Sequence, residues 1–517
     1  MTDKPALIVR GRAVVCGIGP DGDPEIVPDG AVLVRDGRVA QIGSFETLRA
    51  AHPDLPVEGG AGFVVTPGFV NAHHHVGLTP LQLGSPDLPL ELWFASRLAL
   101  RDFDLYADTL FSAFEMIESG VTTVQHLHSR APGSPDDVLA ASERVVAAYR
   151  DIGMRASYSM ALRDQNRLVY EADRDFTARL PAEIRPAMAA YFARFTLSLA
   201  EQVKIFDELL RRHAGGDRVR VQIAPANLHW LSDEALETTA GLAERTGLPV
   251  HMHILETPYQ EAYARRRTGG SALAHLDRFG LVSRSLTIGH GVWMSEDDRA
   301  LAAERGACLC HNCSSNFRLK SGRLALDRVM AHGIPVALGL DEAGINDDRD
   351  MLQEMRLVLR AHRTPGINAP CPTPADVFRM ATEGGARTTP FGGEIGRLAP
   401  GMAADLVLFD WREVTWPYQD EAIGLLDVLV QRAKAKAVGS VMVGGEWIYR
   451  DRRFTRVDRN AVLDGIAEAL ARPRGEAERD RISLSENVMP HVRRFYEGYL
   501  DNQPRRESDS KLPTSSS

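Results

Sequence analysis

Pro67-Gly68-Phe69-Val70-Asn71-Ala72-His73-His74-His75 closes an apolar run that begins at Phe63 and ends in three histidines. On a β-strand alternate side chains share a face, so His73 and His75 point one way and His74 the other. Two imidazoles side by side at the mouth of a strand form half of a metal site, provided that other strands bring the rest. An HxH pair alone is often incidental. The reading therefore turns on what stands at the ends of the strands that follow.

From about residue 64 to 390, short apolar strands alternate with helical stretches. The strand candidates are Val64–His75, Val121–His128, Met154–Met160, Val219–Pro225, Val250–Leu255, Ser285–His290, Ala307–His311 and Pro335–Asp341. Helical stretches include Pro135–Asp151, Ser232–Thr246, Glu296–Arg305 and Leu324–His332, and glycine marks several of their ends, as in Thr246-Gly247-Leu248-Pro249. Eight such units predict an α/β fold, a parallel (β/α)8 TIM-like barrel with active residues at the C-terminal ends of its strands. Two connections, 77–120 and 161–216, are long enough to carry structure of their own and to cover a site.

The flanks read differently. Residues 6 to 65 are short strands and turns, with a hairpin expected through Asp36-Gly37. After residue 390 the β character returns, in Leu406–Asp410 and in a hairpin through Gly444-Gly445. Neither flank closes a core alone. The expectation is a small β-sandwich from 1–65 and 391–458 with the barrel of 66–390 inserted, then C-terminal helices over 459–502. The polar tail 503–517 is expected to lack order.

Composition narrows the function classes. A net charge of −9 without a long one-sign block argues against a nucleic-acid partner. No apolar run is long enough for a membrane span, and the start Met1-Thr2-Asp3-Lys4-Pro5 has no secretory pattern. Five cysteines, an odd number in a long chain, fit a reducing cytoplasm better than a disulfide framework.

The later strand ends supply the missing donors. Val250-His251-Met252-His253-Ile254-Leu255-Glu256 places His253 at a strand end and Glu256 just beyond, a ligand paired with a proton shuttle. The plain alternative is a buried histidine and a surface glutamate. His251 lies deeper and reads as structural. Leu286-Thr287-Ile288-Gly289-His290 and Val336-Ala337-Leu338-Gly339-Leu340-Asp341 end in a histidine and an aspartate. Asp341 has a second reading as the N-cap of the next helix. His73, His75, His253 and Asp341 together form a nitrogen-and-oxygen set that suits one divalent ion, zinc first and Fe(II) as the other choice.

These residues resemble the amidohydrolase superfamily, in its mononuclear branch of cytosine deaminase, adenosylhomocysteine-type deaminases and triazine hydrolases. The resemblance runs from Gly30 to about Arg450 and rests on PGFVNAHHH, HILET, IGH, the NCSSN of Asn312 to Asn316, ALGLD and GRLAPGMAADLVLFD. It implies the barrel with its small β domain, the four ligands above, Glu256 as proton shuttle, His290 near the attacking water, and a homo-oligomer. Dinuclear members bridge two metals with a lysine at the end of the fourth strand. Here that strand, Val219-Arg220-Val221-Gln222-Ile223-Ala224-Pro225, has none, which implies a one-metal site. Where several deaminases carry histidine beside proline after this strand, the chain has Ala226, with Asn227 and His229 nearby.

The expected chemistry is water activation by the metal and attack on an sp² carbon bearing nitrogen. Glu256 carries the proton to the leaving group, with Asp341 and His290 orienting the water. The first choice is deamination of a nitrogen heterocycle. Hydrolysis of an amide, urea or carbamate C–N bond, or of a triazine C–Cl bond, is the alternative, and a catalytically dead scaffold a remote one. Gln125, His126, His128, Trp93, Asn227 and His229 are candidate contacts to the small-molecule substrate. Cys308, Cys310 and Cys313 with His311 suggest a metal cluster at first sight. Their spacing lacks a second pair, so small buried thiols are expected there instead.

Overall fold

The computed structural model describes residues 6–129 and 132–501, so the tail expected to lack order lies outside the described residues. Eight parallel strand segments form a ring: β1 (Phe69–His74), β2 (Val121–His128), β3 (Arg155–Leu162), β4 (Val219–Val221, continued by Ala224–Pro225), β5 (Val250–Ile254), β6 (Leu286–His290), β7 (Cys308–His311) and β8 (Val336–Leu338). Neighbours pair in parallel from β1 to β4 and from β5 to β8. Single bridges close the two seams, Ile223 to Val250 and Asn227 to His253 on one side and His74 to Asp341 on the other. Nearly every strand residue is buried, as expected of strands covered on both faces by side chains and helices.

The helices start and stop where their sequence says. Ser134 and Ser295 close capping boxes on Pro135–Ile152 and Glu296–Arg305. Gly153, Gly247 and Gly306 end their helices in the left-handed conformation that only glycine adopts without cost.

The predicted first strand is two strands. Val57–Pro67 belongs to the small β domain and Phe69–His74 to the barrel. Gly68 is the hinge, because a Cβ there would lie 2.1 Å from Thr122 Oγ1. The last strand is shorter than expected and ends at Leu338, with Asp341 beyond it.

The small domain draws on both ends of the chain. Its strands hydrogen-bond into one nine-stranded sheet in which Val57–Pro67 lies between Leu7–Ile18 and Leu406–Asp410. The sheet curls so that its two halves share one filling, with Val9, Val32, Val65, Leu406 and Met442 in a single apolar cluster. The Gly30–Arg35/Arg38–Ser44 hairpin turns through Asp36 and Gly37, both at positive φ.

The long connections carry helices. Leu90–Ser96 lies over the mouth of the barrel and packs with Tyr170, Tyr191 and the C-terminal helix Glu476–Tyr496 in a separate apolar cluster. The C-terminal helix thereby backs the cover of the site. No helix among the described residues is long and apolar enough to cross a membrane.

Barrel and sheet are joined by a buried ion pair. Arg155 at the start of β3 donates from Nε to Asp405 Oδ2 at 2.8 Å and from Nη2 to Oδ1 at 3.2 Å. Asp405 also accepts from the Gly444 N–H at 2.6 Å. Breaking such a pair leaves an uncompensated buried charge. Asp405→Ala is expected to lower unfolding stability by about 3–5 kcal/mol, read by urea denaturation. A loss below about 1 kcal/mol contradicts the role given to the pair.

Candidate metal centre

Four side chains from three strand ends converge on one point. The nitrogen atoms Nε2 of His73, His75 and His253 lie 3.0 to 3.1 Å from one another. Asp341 Oδ1 lies 3.2 Å from His75 Nε2 and 3.6 Å from His73 Nε2. His73 is fully buried and Asp341 is 4% exposed.

The tautomers are set from behind. His75 Nδ1–H donates to the Leu127 carbonyl at 2.7 Å, and His253 Nδ1–H donates to the Ala226 carbonyl at 2.8 Å. Each neutral ring then has a bare Nε2 with its lone pair aimed inward. His73 Nδ1 meets His251 Nε2 at 2.8 Å, which leaves its own Nε2 for the same point when Nδ1 donates. Lone pairs at such distances repel unless a positive charge stands among them. Tetrahedral zinc with bonds of about 2.0–2.1 Å separates its nitrogen ligands by about 3.3 Å, so the rings need open by only a few tenths of an ångström to hold the ion.

Electrostatics give the same answer. Burial pushes His73 and His253 well below the usual histidine range, and the neighbouring imidazoles push them further. Burial lowers His75 too, but the Asp341 hydrogen bond and charge hold it above its ordinary value. For Asp341, burial acts upward and is outweighed by His75 and His290, so its carboxyl stays far below the usual range. The ring therefore accommodates one centre of positive charge beside one carboxylate.

Backbone strain aims three of the groups. Leu255, His290 and Asp341, at or just past the ends of β5, β6 and β8, have φ of 53°, 69° and 53°, where non-glycine residues are costly. Asn71 holds the β1–β8 seam: its Oδ1 accepts from Leu340 N at 2.9 Å, while the His73 carbonyl accepts from Asp341 N at 2.8 Å. Gly339 is forced by close approach, since a Cβ there would lie 2.3 Å from Asn312 Oδ1 and 2.5 Å from His73 Cβ.

His290 and Glu256 stand beside the ring. His290 Nδ1 meets Asn316 Oδ1 at 2.9 Å and its Nε2 meets Asn312 Nδ2 at 3.1 Å. Its Nε2 is 3.7 Å from Asp341 Oδ2 and its Nδ1 3.8 Å from Glu256 Oε1. Glu256, 3% exposed, accepts from Ser321 Oγ at 3.1 Å. Burial raises its carboxyl, and the His290 charge only partly offsets this.

A cavity of about 770 Å³, its open mouth included, leads to this floor, a volume that suits a small molecule. Trp93, Phe94, Trp230 and Leu319 wall it, with Asn227 and Arg163 among its polar groups. Of the candidate contacts, Trp93 and Asn227 line it. His128 faces an adjoining cavity and meets Tyr158 Oη at 2.8 Å. Gln125 donates to Ser159 and His229 is buried against Tyr170 and Trp230, so these two are turned into the packing, while His126 meets Tyr149 Oη and lines a further cavity beside His75 and His128. Asn312, Asn316, Ser321 and the Arg97–Glu342 pair (2.7 Å) are the neighbours that sequence reasoning missed. Only the NCSSN stretch carried a signal, through its likeness to relatives.

One buried carboxylate ties the cover to the floor. Glu91 on Leu90–Ser96 accepts from Thr257 Oγ1 at 2.5 Å and from Tyr170 Oη at 2.9 Å. Burial raises it to about 7. Its folded value exceeds its unfolded one, so the native state holds the extra proton and stability falls as pH rises from about 4.5 to about 7. Glu91→Gln is expected to remove on the order of 3 kcal/mol from that decline, at about 1.4 kcal/mol for each pH unit crossed. Denaturation midpoints across this window measure it, and an unchanged slope contradicts it.

Comparison with known proteins agrees with this geometry. The Amidohydrolase family model matches residues 64–448, and an Imidazolonepropionase-like composite domain model matches residues 30–54. The chain is 30% identical over 469 residues to a 5-methylthioadenosine/S-adenosylhomocysteine deaminase of Syntrophobacter fumaroxidans, covering 89% of this chain and 96% of that protein. It is 29% identical over 475 residues to a 5'-deoxyadenosine deaminase of Methanothermobacter thermautotrophicus, covering 91% and 99%. Among solved structures, an adenosine deaminase from Xanthomonas campestris with bound zinc superposes with a TM-score of 0.76 at 24% identity, over 92% of this chain and 98% of that one. The zinc-complexed atrazine chlorohydrolase of Arthrobacter aurescens has the same fold, with a TM-score of 0.76 at 18% identity over 89% and 99%. With a family model spanning most of its length and strand ends that converge as described, the chain belongs to the amidohydrolase family.

Proposed function

We propose that the protein is a zinc-dependent aminohydrolase that removes an exocyclic amino group from an adenosine-like nitrogen heterocycle. The observation that carries this reading is the position of Glu256 and His290 beside the inward-facing nitrogens, at the floor of a cavity with aromatic walls. Names of the curated relatives, which specify adenosine derivatives, supply the substrate class. A cytoplasmic setting, which rests on the cysteine usage, and a homo-oligomeric state, which rests on the family likeness, belong to the same reading.

His73, His75, His253 and Asp341 would hold the ion. A divalent cation held there makes water far more acidic, from a pKa near 16 toward about 7. The chain's own groups do the rest. Asp341 and His290 orient the attacking water, and the two asparagines fix the His290 ring so that it does not rotate away. Glu256 takes the proton given up by that water and returns it to the departing nitrogen, so that ammonia leaves instead of an amide anion. A buried carboxyl raised above its ordinary value is suited to both halves of that transfer. The aromatic wall of Trp93, Phe94 and Trp230 matches a flat ring stacked with its amino-bearing carbon toward the floor.

Ammonia release over a panel of adenosine, 5'-deoxyadenosine, methylthioadenosine, pyrimidines, triazines and ureas tests the reading. Turnover of adenosine derivatives is expected. Release of chloride or an alkylamine from the other compounds, with no ammonia, contradicts it. Glu256→Gln is expected to keep its metal and lose on the order of 10²–10⁴ in kcat on the best substrate. Full activity in that variant would remove Glu256 from the proton path.

A further inference from the structure

A second group of metal-liking side chains lies behind the catalytic ring, on the outer side of β7. His311 ends that strand, Cys313 opens the helix Cys313–Arg318, and His362 caps the C-terminus of the helix Met351–Ala361. One donor atom from each lies within 4.8 Å of the others. The Nε2 atoms of His311 and His362 are 2.9 Å apart. All three residues are buried, Cys313 at 1% exposure and His362 at 5%.

Nothing in the residue spacing points to this group. The cysteine cluster lacks a partner pair, and alternation turns Cys308 and Cys310 away from His311. Those two thiols do face the barrel interior, packed with Ala72 and Ala337. His311 and Cys313 point the other way, and the missing partner, His362, comes from 51 residues further on.

We propose that His311, Cys313 and His362 form a second zinc site of three protein ligands, separate from the catalytic one. A thiol with two imidazoles is a donor set zinc accepts. At zinc bond lengths the two nitrogens would sit about 3.3 Å apart and the sulfur about 3.6 Å from each, so the nitrogens open slightly and the sulfur is drawn in. His311 Nδ1 has no hydrogen-bond partner, so no carbonyl or carboxylate fixes its tautomer as in the catalytic ring. On binding, the Cys313 thiol proton leaves to solvent. The N–H shared between the two Nε2 atoms moves to an Nδ1, giving one thiolate and two neutral imidazoles.

Zinc in that set carries a net charge of +1, and a buried carboxyl lies nearby. Glu354, 1% exposed, accepts from the Ser314 N–H at 3.0 Å and from Ser314 Oγ, next to Cys313. No basic side chain forms an ion pair with it among the described residues. Occupation would fasten the end of β7 to the outer helix. Asn312, which holds His290, lies between two of the ligands.

Cobalt distinguishes the two sites, because the catalytic set contains no sulfur. Metal-stripped protein in a Cys371→Ser background, which removes the exposed thiol, is reloaded with Co²⁺ or Zn²⁺. Two equivalents of metal per chain are expected, together with a thiolate-to-cobalt charge-transfer band in the near ultraviolet. Cys313→Ser and His362→Gln should each lose the band and one equivalent, while Cys308→Ser keeps both. The His362 variant covers the case in which Cys313→Ser fails to fold. A single equivalent without the band overturns the second site and leaves the catalytic one standing. A band lost in Cys310→Ser but kept in Cys313→Ser also overturns the assignment. Failure of the catalytic reading would instead show as the band with one equivalent only.

Discussion

Three imidazole nitrogens with their lone pairs turned on one point repel one another unless a positive charge stands among them. That constraint organises the molecule. His75 and His253 are locked by hydrogen bonds to the carbonyls of Leu127 and Ala226, which belong to neighbouring strands or their ends. The barrel thereby fixes the rings from outside, before any ligand arrives, and binding reorganises little. Asp341 brings a carboxylate within reach of these nitrogens, and burial makes its charge effective.

The fold's contribution is to deliver these groups from distant parts of the chain at the cost of local strain. Three non-glycine residues at positive φ stand at or just past the ends of β5, β6 and β8. Gly339 and Gly68 permit approaches that any side chain would block. The small sheet holds the barrel through the Arg155–Asp405 pair, and the C-terminal helix backs the cover helix that carries Glu91, Trp93 and Phe94. Structure far from the reacting atoms therefore sets the shape of the pocket wall.

Much of this was legible in the sequence, for a physical reason. In a parallel barrel the catalytic groups stand at strand ends, and strands of this kind announce themselves as apolar runs. His73, His75, His253, His290 and Asp341 are readable as strand-end residues by position alone, and the structure brings them together. What the sequence hid came from three-dimensional neighbours. Val64–His75 reads as one run, and it is two strands because the chain changes partner at Gly68, from Leu406–Asp410 to β2, where only a glycine fits against Thr122. Gln125, His126 and His128 are polar residues on a strand end, yet hydrogen bonds to Ser159, Tyr149 and Tyr158 decide where they point. Part of the pocket wall, Trp93 and Phe94, comes from a helix in a long connection, where periodicity predicts a helix but not the face it presents. His362 meets His311 only because the helix Met351–Ala361 ends beside the end of β7, and no spacing rule links them.

Anomalous diffraction at the zinc absorption edge, from crystals of the protein as purified, tests the central claim most directly. The account predicts a peak enclosed by His73, His75, His253 and Asp341, with nitrogen–metal distances of about 2.0–2.1 Å. Electron density showing those side chains splayed apart, with no anomalous signal among them even after zinc is supplied, would contradict it.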